Sequence, residues 1–503
     1  MASDERLRAI EETMRSQLPT TAASREQISL WSVLKQSVGK DLSRLTVPVV
    51  FNEPLSFLQR LGEYMEYSDL LRLADEQDDA VKRLEYVTAF AVSTLASNRD
   101  RLSKPFNPLL HETYELDRLE DLGFRFVCEQ VSHHPPISAF HADGPAFRFY
   151  GSIYPKLKFW GRSIDCQPKG ILTLELTKRN EVYTWMPINC SIHNLVMGKM
   201  YIDLHGTLEV ICHSNDLSVK VHFKSSSSWL GKEANHIEGY IVDKSKKKLR
   251  ALYGDWSEFL ASCGAETFEA NFAAWDKERK EHKEKKQPVV GTGGGHSPPP
   301  ARRFSTTDML SSPEPPEDIG MPLVHCKSTK VSSGKKRCDK LDRALASPRR
   351  STCLMLTSPT GSGTCSKITH LSVLPLLTGS TVLWRVRPRP PISEQFYHFT
   401  LFAMALNEMN TNGRAPLPPT DSRLRPDVRL MEDGNIDGAA TEKHRLEEKQ
   451  RDTRTTLKKV KQDPHKAPSW FTQGPHPFVK DQDTWHFNGC YWNRDWSNSE
   501  YIF

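Results

Sequence analysis

The feature that most constrains this chain is a succession of short stretches in which apolar and polar residues alternate. Leu172, Leu174 and Leu176 alternate with Thr173, Glu175 and Thr177, and Leu217, Val219, Val221 and Phe223 with Ser218, Lys220, His222 and Lys224. A period of two places each apolar set on one face of a β-strand. Phe147 to Tyr154, Ile188 to Val196, Tyr201 to Cys212, Ile237 to Val242 and Leu249 to Gly254 repeat the pattern between turn-like breaks. So many sequential short strands predict an antiparallel meander that closes toward a barrel. A barrel with more strands than its side chains can fill encloses a cavity, and such a cavity suits an apolar ligand.

The rest of the chain surrounds this meander. Residues 1–27 are polar and expected to be mobile. Ile28, Trp31, Leu34, Val38 and Leu42 then recur at spacings of three and four, which makes one apolar face of a helix. Periodicity does not decide whether that helix packs on a core or covers an opening. Residues 46–123 mix helical stretches with loops. Between 281 and 380 the pattern collapses into segments such as Gly291-Thr292-Gly293-Gly294-Gly295 and Ser297-Pro298-Pro299-Pro300, which read as a disordered insertion. Order is expected again over 381–503, beginning at Val382-Leu383-Trp384-Arg385-Val386. This part contains a long charged helix from Ala439 to Gln462, bounded by Pro464, and a tail rich in Trp and Tyr.

Composition excludes several classes. The net charge is +6, but residues 281–380 hold 15 basic against 8 acidic residues. The remainder is therefore close to neutral and gives no argument for nucleic acid. The charged start Met1-Ala2-Ser3-Asp4-Glu5-Arg6 is unlike a signal peptide, and no run approaches the roughly 20 apolar residues of a membrane span. The ten cysteines include no Cys-x-x-Cys pair, so neither a zinc ribbon nor a redox motif is indicated, and reduced thiols fit the cytosol. A soluble intracellular protein is expected.

Three blocks carry candidate chemistry. Glu129-Gln130-Val131-Ser132-His133-His134-Pro135-Pro136 sets two imidazoles at the end of a run alternating through Phe124, Phe126 and Cys128. The prolines cannot donate to a ladder, so the strand should stop there, at the rim of a sheet. An ordinary strand end and a two-histidine site are both compatible with this pattern. Lys104-Pro105-Phe106-Asn107-Pro108-Leu109-Leu110-His111-Glu112-Thr113-Tyr114-Glu115-Leu116 offers a flexible cation beside a proline-shaped turn, suited to phosphate. Lys443, Glu447 and Arg451 stand at i, i+4 and i+8, one stripe of the charged helix; that stripe is equally compatible with a solvated face.

Together these blocks resemble the oxysterol-binding-protein-related family of lipid-transfer proteins. The resemblance covers about Ile28 to Lys280 and Val382 to Phe503. It extends to Phe51-Asn52-Glu53-Pro54-Leu55-Ser56-Phe57-Leu58-Gln59-Arg60 and to Thr420-Asp421-Ser422-Arg423-Leu424-Arg425-Pro426-Asp427. It implies an α+β, mainly β fold: a large antiparallel β-barrel enclosing a lipid tunnel, with an N-terminal lid helix and C-terminal helices. Residues 28–280 and 381–503 would form one lipid-binding domain, interrupted by 281–380. Lys104, Asn107, His133, His134 and Arg451 would bind the phosphate of a phosphoinositide and Lys443 and Glu447 its inositol, with Ile28, Trp31, Leu34 and Val38 on the lid. His111 departs from the family, in which glycine is usual; if the position needs a positive φ, a histidine there is strained.

The implied ligands are a sterol and a phosphoinositide, with no cofactor, no metal and no catalysis, and the implied partners are membrane surfaces at organelle contact sites. With 27 residues before the lid, a short branch without a pleckstrin-homology domain is expected. An endoplasmic-reticulum docking motif is not evident: Glu266-Thr267-Phe268-Glu269-Ala270 lacks the second aromatic residue and acidic flanks. The alternatives are a lipid-regulated sensor or scaffold, a carrier of phosphatidylserine in place of sterol, and a histidine-dependent metal hydrolase, for which no third ligand is spaced suitably.

Overall fold

The computed structural model describes residues 2–24, 29–39, 47–225, 235–273, 376–409, 416–459, 467–497 and 499–503. Two compact units partition the chain, Met1–Lys280 with Thr369–Phe503 and Glu281–Ile368. The second unit, and the expected insertion up to residue 375, lie outside the described residues.

The helices are α1 (Ala2–Thr13), α2 (Leu30–Leu34), α3 (Phe57–Gly62), α4 (Asp69–Asp75), α5 (Ala80–Ser93), α6 (265–273), α7 (Leu401–Ala405), α8 (Pro426–Glu432) and α9 (Ile436–Lys459). A short parallel pair, β1 (Asn52–Ser56) and β2 (Lys104–Phe106), precedes the main sheet. That sheet contains β3 (Thr113–Arg118), β4 (Phe124–His133), β5 (Pro136–Asp143), β6 (Phe147–Phe159), β7 (Ile164–Lys169), β8 (Leu172–Leu176) and β9 (Glu181–Trp185). It continues through β10 (Asn189–His193), β11 (Tyr201–Cys212), β12 (Ser218–Phe223), β13 (His236–Val242), β14 (Lys248–Asp255), β15 (Phe259–Gly264) and β16 (Thr381–Arg385). A separate hairpin, β17 (Phe471–Pro475) with β18 (Asp483–Phe487), completes the strands.

The 14-stranded sheet is antiparallel throughout and runs from β3 to β16. Along β6 the pairing offset never changes, from Phe147↔Leu176 to Phe159↔Ile164. β7 and β8 are thus one strand bent at Gly170. Its φ is +129°, and a Cβ there would stand 1.8 Å from Ser152 O, so only glycine fits. β9 and β10 form the next line and rejoin at β11, which pairs with both.

Helix α5 packs against β12 to β16. Its Asp79 cap accepts from Val81 N at 2.9 Å, and Leu84, Val87, Phe90 and Val92 are fully buried. Each such side chain contributes about 1.5–3 kcal/mol on leaving water. The outer face of β8 is covered as well. Thr173, expected on a polar face, is buried against His476 of the β17–β18 connection, Oγ1 to Nε2 3.0 Å, which is why β8 buries both faces.

Two expectations are corrected here. Of the stretch 1–27, the described residues 2–24 do not stay unpacked: α1 forms, Leu18 is 4% exposed, and Arg15 pairs with the buried carboxylate of Glu432. The apolar face from Ile28 to Leu42 does not form one helix. α2 spans five residues and a 3₁₀ turn follows at Lys35–Ser37, while Val38 has an extended ψ of 129°. Gly39 N donates to Phe159 O at 2.7 Å, and this contact holds the chain on β6 where a helix would have continued. Leu34 is buried against Phe159 and Leu195, whereas Trp31 and Val38 are 38% and 52% exposed. Ile28 and Leu42 lie outside the described residues.

Candidate functional site

A cavity of about 1220 Å³ opens inside the unit. Its body is apolar, walled by Leu30 and Leu34 of α2, Phe57 and Leu61 of α3, and Ile153 and Leu157 of β6. Cys166 and Cys190, directly opposed across β7 and β10, also face it. Burial pushes the Cys166 thiol up to about 12 and raises the Cys190 thiol as well, as a low-dielectric wall requires.

The other end of the cavity is polar, and Glu112 builds it. This carboxylate is fully buried and accepts from Ser56 Oγ at 2.6 Å, Ser422 Oγ at 2.7 Å, Leu109 N at 2.9 Å and Arg425 Nη1 at 2.7 Å. Ser56 also caps α3 in a reciprocal box with Gln59. One side chain therefore fixes the start of α3, the turn at 109–112 and a segment more than 300 positions away. Thr113 extends the junction, with Thr113 N to Thr420 O 2.9 Å and the two hydroxyls 2.8 Å apart. Arg425 completes it by donating to Asn107 O at 2.9 Å and clamping Asp427 with two bonds of 2.7 and 2.9 Å.

On this frame stand the candidate residues. Lys104, on β2, is held where Asn52 Nδ2 donates to its carbonyl at 3.1 Å, and its Nζ lies 2.5 Å from Asn107 Oδ1. Burial, and next the like charge of Lys443, lower its pKa to about 8. Lys443 is itself buried, donates to Val47 O and lies 3.8 Å from Glu447. Burial lowers its pKa, against the pull of Glu447. Two crowded, poorly hydrated lysines make a site that gains from an anion.

The histidine pair closes a tight hairpin. β4 ends at His133, which pairs with Pro136 at the start of β5, and the His134–Pro135 bond is cis. The strand stops where expected, but it turns back at once. The rings of His133 and His134 lie 4.6 Å apart, and both line the cavity. Gln130 N donates to Glu112 O and His111 N to Gln130 O, at 2.9 and 3.0 Å, joining this hairpin to the Lys104 loop. Glu129 points away and accepts from Ser469 N and Trp470 N, both at 2.9 Å, anchoring the aromatic tail.

Helix α9 supplies the stripe. Asn435 Oδ1 caps it by accepting from Gly438 N at 2.9 Å, so it begins before Ala439. Leu446 is buried with Leu109 and Phe503, which turns Lys443, Glu447 and the exposed Arg451 to the cavity mouth. All of Lys104, Asn107, His133, His134, Lys443, Glu447 and Arg451 line the one cavity. Of the residues expected on a lid, Leu34 lines it as well; Trp31 and Val38 do not. Sequence reasoning missed Glu112 and Arg425, although both sit inside the motifs it singled out. Among the described residues no group of three or more His, Cys, Asp or Glu side chains is placed to hold a metal ion.

Fold and cavity together define a large antiparallel sheet around an apolar tunnel, with Lys104, Lys443, Arg451 and two histidines along one end of it. The profile of the oxysterol-binding proteins matches residues 29–496, and the chain belongs to that family. It is 43% identical over 491 residues to oxysterol-binding protein-related protein 1 of Homo sapiens, covering 97% of this chain and 44% of that protein. It is 40% identical to oxysterol-binding protein-related protein 2 of Mus musculus, covering 97% and 88%. The chain thus spans less than half the length of the first of these relatives.

Solved structures agree. The crystal structure of the Osh1 ORD domain in complex with cholesterol superposes with a TM-score of 0.68 at 32% identity, covering 96% of this chain and 92% of that one. The Osh3 ORD in complex with PI(4)P from Saccharomyces cerevisiae gives 0.66 at 28%, covering 98% and 99%. The family is one of lipid-binding proteins, not enzymes.

Proposed function

We propose that this chain is a lipid carrier that takes a sterol or a phosphoinositide into one tunnel and exchanges them between membranes. One observation carries the reading: a single cavity of about 1220 Å³ has apolar walls and a cationic mouth. That exceeds the roughly 300–1,000 Å³ of ordinary small-molecule sites and leaves room for a lipid. Lys104, His133, His134 and Arg451 bind the phosphate, Asn107 positions Lys104, and Lys443 with Glu447 holds the inositol. Cations meet phosphate and the carboxylate accepts from hydroxyls, a mixture that a purely anionic ligand does not need. The relatives solved with cholesterol and with PI(4)P support both cargoes.

The membrane-facing surface fits the α2 end of the tunnel. Two hairpin tips meet there, with Leu195 N donating to Arg162 O at 3.3 Å. Trp160, Val196 and Met197 are 55%, 56% and 84% exposed, and Lys156, Lys158, Arg162 and Lys199 are exposed around them. Apolar tips ringed by cations suit an anionic bilayer surface, at organelle contact sites on the cytoplasmic side. α2 then acts as the lid through Leu30 and Leu34, and residues 28–280 with 381–503 form one domain around the 281–380 insertion.

The test is extraction from liposomes. His133→Ala with His134→Ala is expected to abolish phosphatidylinositol 4-phosphate extraction while largely sparing sterol uptake. Unchanged phosphoinositide transfer in the double variant would refute the site, and mass spectrometry of co-purifying lipids separates sterol from phosphatidylserine.

A further inference from the structure

His111 sits in the left-handed region with φ +67°, a conformation that favours glycine. A histidine there is strained, so the position holds its ring against a backbone preference. The backbone is not free to relax, because His111 N donates to Gln130 O at 3.0 Å and the next residue closes a turn onto Leu109 O, also at 3.0 Å.

The ring is strained in a second sense. Both nitrogens are buried and neither makes a hydrogen bond, in a fold where most buried polar atoms are paired. Nδ1 lies 3.5 Å from Glu129 Oε1, but that carboxylate already accepts from two backbone N–H groups. The side chain keeps 19% of its surface accessible and lines the cavity with Lys104, Asn107, His133 and His134. An anionic oxygen bound in this cavity would offer the ring the partner it lacks.

We propose that His111 is a third imidazole ligand of the anionic headgroup, with Nδ1 turned to Glu129 and Nε2 donating to a phosphate monoester oxygen. This rests on the phosphoinositide reading above. The ligand class is a phosphorylated polyol, presented on a lipid or free, and the positive-φ position makes the ring testable without breaking the fold. Glycine and asparagine both accept this backbone and lack the imidazole.

His111→Gly and His111→Asn are therefore expected to fold, with thermal midpoints at or above that of the parent and unchanged sterol uptake. Both should bind phosphatidylinositol 4-phosphate in vesicles, and soluble inositol 1,4-bisphosphate, about tenfold more weakly, as loss of a charge-assisted hydrogen bond predicts. Unchanged affinity in both variants, with His133→Ala/His134→Ala inactive, would overturn the role of His111 alone. Unchanged affinity in all three would overturn the headgroup site and the inference with it. A loss seen only with vesicles would also overturn it, because it would place His111 at the membrane surface and not on the phosphate.

Discussion

Replacing Lys104 by methionine keeps the stem and removes a charge that burial and the neighbouring Lys443 both disfavour. Folding lowers the Lys104 pKa from 10.5 to about 8, which at about 1.4 kcal/mol per pH unit costs the charged lysine on the order of 3 kcal/mol. Part of the side chain keeps contact with water, and screening leaves roughly 1–2 kcal/mol of this. Lys104→Met is therefore expected to raise the stability of the ligand-free protein at pH 7 by about that amount, while abolishing headgroup binding.

The pH dependence has a definite sign. Below pH 8 the folded lysine is charged and the full cost is present. Between about 8 and 10.5 the unfolded chain holds the proton that the folded one has released, so stability rises with pH across that window and levels above it. A bound phosphate restores the charge. Binding of inositol 1,4-bisphosphate at pH 8.5 should then take up roughly 0.7 proton, read by calorimetry in buffers of different ionisation enthalpy, and Lys104→Met should show none of it. A destabilised variant, or equal proton uptake with and without the lysine, would refute the argument.

Other outcomes follow from the frame around the site. Arg425→Met leaves the buried carboxylates of Glu112 and Asp427 unpaired and should cost about 3–5 kcal/mol in urea denaturation. Arg425→Lys should rescue little, because the fork is lost. Gly170→Ala would place a Cβ 1.8 Å from Ser152 O at φ +129°; a loss of several kcal/mol or failure to fold is expected, and a normal melting curve would contradict the single bent strand. Trp160→Ala with Met197→Ala removes two exposed hairpin-tip side chains and should weaken partitioning onto anionic liposomes on the order of tenfold, measured by flotation, with headgroup affinity in solution unchanged.

Local signals and remote ones fared differently. Alternation is a property of neighbouring residues, so β11 was legible at both ends, and β8, β12, β13 and β14 to within a residue or two. β6 ran on to Phe159 and β10 was shorter than its apolar run. The role of Glu112 was not legible, because its four partners come from Ser56, Leu109, Ser422 and Arg425, and no periodicity links them. The break after α2 has the same cause: a bond from Gly39 to Phe159 comes from a remote strand, and the helical pattern is too short to stand alone. The candidate site residues were named by resemblance, and what the structure added is the buried junction beside the cavity that they line.

The pairing of β15 with β16 has a consequence for the chain as a thread. These neighbours, Phe259↔Arg385 to Ser262↔Thr381, stand side by side, a geometry that a turn of two residues can span. More than a hundred residues nevertheless separate Ser262 from Thr381 along the chain. Closing a loop between fixed ends costs only about 0.6 kcal/mol for each doubling of its length. By closure entropy alone, a connection between β15 and β16 ten times longer than a tight turn costs only about 2 kcal/mol more, so this edge of the sheet sets little limit on the length of chain that joins its two strands.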